Sequence, residues 1–130
     1  MTGDNIKLNV REEMERGKRT LQAANLLWSN GFHNDAVSRA YYACLYVARA
    51  LLLTKGIEPK SHHGTVQLLS LHFIKDGPLD TQAGSDFAHL QSFRELGDYN
   101  ASAEFTRDQA AEELERARSF IQACMAVIAK

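Results

Sequence analysis

The chain has 130 residues, 45% of them hydrophobic and 24% charged, which suffices for one globular domain with a single core and leaves no room for a second of ordinary size. A formal net charge of -1 excludes the strongly basic balance of a protein that holds nucleic acid or an anionic membrane surface by bulk charge. Two cysteines make no disulfide framework, and neither a signal peptide nor a long apolar run occurs, so residues 1–130 read as one soluble, cytoplasmic domain without membrane attachment.

With only Pro59 and Pro78 in the chain and almost no strand-type alternation, the pattern predicts an all-α protein. Val10, Met14, Gly17, Leu21, Ala24 and Trp28 repeat at spacings of four and three and mark the inner face of a first helix that closes near "SNG". Asn34 is the predicted cap of a second helix running to about Thr54, with Val37, Ala40, Tyr41, Cys44, Val47, Ala48, Leu51 and Leu52 inward. "KGIEPKSHHG" breaks that pattern, and a shorter helix is expected over 63–75 on Val66, Leu69 and Phe73. A fourth is expected over 80–97, facing inward with Ala83, Phe87, Leu90 and Phe93. Thr106 and Gln109 have the spacing of a capping box, so the last helix should start there, with Ala110, Leu114, Ala117, Ile121, Cys124 and Ile128 buried. Short connections between such helices imply an up-and-down bundle of four long helices plus a shorter one.

Three stretches carry more than core residues. In "FRELGDY", Arg94 falls inside the apolar arc of Ala83, Phe87 and Leu90. A guanidinium keeps its charge, so a buried Arg94 needs acceptors, and Asp98 one turn on is the nearest by sequence. Two readings stand: a structural ion pair, or an arginine held at a cleft shared with Tyr99 for a phosphate or a partner's carboxylate. On the second helix Arg39, Tyr42, Tyr46 and Arg49 form a stripe beside the core face, so that helix should be covered on two sides. A homodimer interface satisfies this, and RNA contact is the alternative. "KSHHG" places Lys60, Ser61, His62 and His63 at a helix start, where they either cap backbone N–H groups or hold a phosphate. No metal is expected there, because adjacent histidines lack one-face spacing and have no acidic or thiolate companion.

Taken together, "AVSRAYYACLYVARALLLTKG" at 36–56, "KSHHG" at 60–64 and "FRELGDY" at 93–99 resemble the HEPN domain family, small prokaryotic helical domains often encoded beside minimal nucleotidyltransferases. The resemblance implies a dimer whose functional cleft lies where the ends of the fourth helices meet. In members that are metal-independent ribonucleases, an arginine is followed after four to six residues by a histidine. Arg94 matches the arginine, whereas the expected histidine is absent, residues 99–101 being Tyr99, Asn100 and Ala101. A tyrosine, with a reference pKa near ~10, is a poor base at neutral pH. In some toxins of the family the nucleotidyltransferase attaches AMP to a tyrosine near the motif; Tyr99 lies near it at a different offset.

The expected function is therefore a dimeric module of a toxin–antitoxin-like pair. It would act with a minimal nucleotidyltransferase and bind nucleotide, RNA or partner through Arg94, Asp98, Tyr99, Lys60, Ser61, His62 and His63, without a cofactor. The alternatives are an endoribonuclease toxin in which Arg94 is catalytic, and a structural dimer without a ligand.

Overall fold

Among the residues described by the computed structural model, 3–100 and 102–129, five α-helices are present and no strand. They are α1 (Gly3–Ser29), α2 (His33–Leu53), α3 (His62–Leu69), α4 (Thr81–Tyr99) and α5 (Arg107–Ile128). The fold is all-α, with four long helices and one short, as the periodicity predicts. No described helix is long and apolar enough to cross a membrane.

Helix α2 is the centre of the bundle and packs against the other four. Twelve of its residues are buried, five of them alanine (Ala36, Ala40, Ala43, Ala48 and Ala50), and these small side chains let neighbours approach closely. Gly17 does the same for α1: a Cβ there would lie 2.6 Å from Cγ2 of Val47 and 3.0 Å from the Ala43 carbonyl oxygen. Turns at both ends of α2 need positive φ, supplied by Gly31 (87°) and Gly56 (72°). Much of the second covering that the sequence assigns to another copy thus comes from within the chain. Arg16 of α1 lies 3.9 Å over the Tyr46 ring, and Tyr42 meets His62 of α3.

The capping box forms at α5, where Thr106 accepts from the Gln109 N–H at 3.1 Å and Gln109 accepts from the Thr106 N–H at 2.9 Å. Two expectations do not hold. Asn34 is not a cap, since α2 begins at His33 and its N-cap residue, Phe32, makes no side-chain bond to the helix. Asn34 reaches across the fold instead, accepting from the Phe105 N–H at 2.9 Å and donating to the Ala103 carbonyl at 2.8 Å. It fastens the loop after α4 to the start of α2. Nor is the third helix continuous, because Ser70–Ile74 is a π turn in which Lys75 N–H bonds the Ser70 carbonyl at 2.9 Å. Lys55 Nζ donates to the His72 carbonyl in that turn at 2.7 Å.

Two nearly buried carboxylates line the seam between α4 and α5. Glu113, 1% exposed, accepts from His89 Nδ1 at 2.8 Å and from Arg116 Nε at 3.3 Å. Asp86, 5% exposed, accepts from Arg116 Nη1 at 3.4 Å and from Gln82 Nε2 at 3.0 Å. The two cysteines are buried in the core, and desolvation pushes the Cys124 thiol up to about 12 and the Cys44 thiol well above its usual value.

Candidate functional site

Arg94 lies on the inner side of α4, its side chain 10% exposed, because the four-residue step from Leu90 keeps it in the helix's apolar arc. Its guanidinium carbon is 4.7 Å from the Tyr41 ring centre and 5.7 Å from that of Tyr42. Successive residues on α2 point about 100° apart, so Tyr41 and Tyr42 form two walls around one charge. Nη1 donates to Asp98 Oδ2 at 3.1 Å, the partner one turn on that the spacing names. Glu95 stands 3.9 Å from Nη2, too far for a hydrogen bond and close enough to share charge. Nε is buried and has no acceptor, and the hydroxyl of Tyr41 is likewise buried and unpaired. Two unsatisfied polar atoms in one small cluster depart from the near-complete pairing usual in protein interiors.

His62, the first residue of α3, completes the cluster from the third side. Its ring centre is 5.6 Å from that of Tyr42 and 5.9 Å from that of Tyr41. Burial, then the charges of Arg94 and Arg49, lower the pKa of His62, which favours the neutral imidazole. Burial chiefly pushes the Tyr41 phenol up to about 12, so it stays protonated at neutral pH. Tyr41 is held from behind by Phe87, whose ring stacks at 5.9 Å.

Other candidates stand apart from this cluster. Ser61 caps α3, accepting from the Gly64 N–H at 2.9 Å. Lys60, His63 and Arg39 are exposed. Tyr99 is 83% exposed on the last turn of α4. Arg49 borders a depression of about 300 Å³ with Glu12, Glu13, Glu58 and Pro59 on its rim. Tyr41 belongs to the cluster although its position reads as plain core; the signal for it is that a buried tyrosine hydroxyl demands a partner. Among the described residues, no group of three or more His, Cys, Asp or Glu side chains is arranged to hold a metal ion.

Tyr41 and Tyr42, His62 and Arg94 come from the three separate stretches noted in the sequence, and they meet at one point of the bundle. The model of the HEPN domain matches residues 10–127. The chain belongs to the HEPN domain family. Two relatives from Methanocaldococcus jannaschii are named "Putative toxin MJ0142" and "Putative toxin MJ0605". The first is 32% identical over 88% of this chain and 78% of its own length. The second is 33% identical over 89% of each. A UPF0332 protein of Gloeobacter violaceus is 34% identical over 90% of this chain and 94% of its own. The fold is similar to that in the crystal structure of TT1696 from Thermus thermophilus, with a TM-score of 0.78 at 18% identity, covering 90% of this chain and 96% of that one. In this HEPN domain, the histidine that joins the Arg94 cluster is His62, packed on Tyr41 and Tyr42 and contributed by α3.

Proposed function

We propose that this HEPN domain is one component of a toxin–antitoxin-like pair in the cytoplasm, acting as a homodimer with a minimal nucleotidyltransferase and binding a phosphate-bearing ligand, a nucleotide or an RNA strand, at Arg94. One observation carries the reading. Arg94 is a buried cation with an unpaired Nε, set against the rings of Tyr41 and Tyr42. An arginine that served only the ion pair with Asp98 would need neither feature. The relatives named as putative toxins support the biological setting. Arg94→Met should retain the helical signal in circular dichroism and weaken binding of a fluorescently labelled single-stranded RNA at least about tenfold, the loss of one charge-assisted hydrogen bond. A folded variant with undiminished affinity would reduce Arg94 to a structural residue.

The dimer reading is supported by Leu96, 47% exposed, and Tyr99 on the same terminal stretch of α4, where the family places the meeting of protomers. Light scattering should return twice the chain mass of 14.5 kDa. Leu96→Glu should shift the protein toward the monomer by setting like charges against each other across a symmetric contact. A wild-type monomer at tens of micromolar would remove this part of the account.

A second reading, endoribonuclease, is favoured by the position of His62. A neutral imidazole beside a guanidinium can take the 2'-hydroxyl proton while the cation stabilises charge at phosphorus. Products ending in a 2',3'-cyclic phosphate, lost in His62→Ala, would establish it.

A further inference from the structure

The charges around Arg94 nearly cancel. Arg94 and Arg49 bring two positive charges to the tyrosine pair, while Asp98 and Glu95, both beside Arg94, bring two negative ones. With His62 neutral the cluster has no surplus charge to give an anion. A phosphodiester reaching Arg94 Nε would therefore leave one uncompensated negative charge in a poorly solvated place, which is unfavourable unless a counter-charge appears. Of the groups present, Tyr41 and Tyr42 cannot become cations, and the arginines are already charged. The remaining acceptor is His62, whose ring leans on the same two tyrosines. Its ordinary pKa of about 6.5 makes proton uptake near neutral pH inexpensive.

We infer that His62 is a proton-linked member of the anion site: it is neutral while the site is empty and takes up one proton as a phosphodiester settles on Arg94. The inference rests on the Arg94 binding reading. The downward push on His62 from burial, Arg94 and Arg49 is the empty-site half of this linkage, and a bound anion reverses the electrostatic part of it. The groups that face or flank His62 are Tyr41, Tyr42 and Arg49 from α2, Arg94 with Glu95 and Asp98 from α4, and Lys60 and His63 on its own segment. None of these except His63 has an ordinary pKa between about 5.5 and 8, and His63 is exposed. Ligand affinity is then highest below the pKa of His62 in the empty site and falls as pH rises through its higher pKa in the complex.

A short thymidine oligonucleotide is a suitable probe. Its phosphodiesters keep one negative charge over this whole range, and it lacks the 2'-hydroxyl needed for cleavage. Binding to the full chain, measured by fluorescence anisotropy, should weaken about tenfold from pH ~5.5 to pH ~8 for each unit by which the bound anion raises the histidine pKa. His62→Gln should bind with an affinity that is flat in pH, and Arg94→Met should bind at least about tenfold more weakly. In parallel, the Cε1–H proton resonance of His62 in the wild-type protein should titrate at higher pH with saturating oligonucleotide than without it, a readout that needs no variant to fold. Arg94-dependent binding with an unmoved His62 titration would overturn the proton linkage and leave the Arg94 site standing. Binding undiminished by Arg94→Met, or no binding at any pH, would overturn both.

Discussion

Phe87→Ala should lower the unfolding free energy by about 3–5 kcal/mol, the usual cost of emptying a large aromatic position in a packed core. The melting temperature should fall by roughly 10–20 °C for a chain of this size. Phe87 is fully buried, stacks on Tyr41 at 5.9 Å and meets Phe120 at 5.0 Å, so it joins α4 to α2 and α5 at once. The cavity would open directly behind Tyr41. Because Tyr41 is the surface on which the Arg94 guanidinium rests, ligand affinity should fall together with stability. Thermal unfolding by circular dichroism checks the first effect, and a loss below about 1 kcal/mol would mean that the centre of the bundle is not packed as described.

Arg116→Met is the second large effect, and its partners decide its size. Arg116 is shared by Glu113 and Asp86, both nearly excluded from solvent, so its removal leaves two carboxylates with His89 and Gln82 alone. Leaving buried charges uncompensated costs about 3–5 kcal/mol. Glu113→Gln should cost far less, because the buried charge leaves with the substitution. His89, 38% exposed, can then turn toward water while Arg116 keeps its pairing with Asp86. Chemical denaturation of both variants reads the asymmetry, and equal losses would contradict the shared-arginine arrangement.

These residues also mark how far the sequence can be read. Ala110, Glu113, Leu114 and Ala117 on α5 repeat the 3-1-3 spacing of Ala83, Asp86, Phe87 and Leu90 on α4, so both carboxylates stand within buried arcs. The signal was present, but a run such as "EELER" reads as a solvated face until α4 is set against it. The capping box at Thr106 is legible because every atom in it lies within four residues. Asn34 is not, because its acceptor and donor arrive from around residue 104, some 70 positions away. The π turn at Ser70–Ile74 leaves Phe73 inward, as an unbroken helix also would, so no periodicity announces it. Arg94 could be picked out because an arginine in an apolar arc conflicts with its own solvation. That His62 and not His63 stands beside it depends on where Ser61 begins α3, since the residue just inside the cap turns inward and the next turns out to solvent.

The central claim is that the unpaired Nε–H of Arg94 is the donor awaiting a phosphate oxygen, and its own nitrogen resonance tests this most directly. In ¹⁵N spectra of the arginine side chains, assigned with Arg94→Met, the Arg94 Nε–H signal should shift saturably as a short thymidine oligonucleotide is added, and its exchange with water should slow. An Arg94 Nε–H signal that stays in place while the oligonucleotide saturates the protein would place the ligand elsewhere and contradict the account.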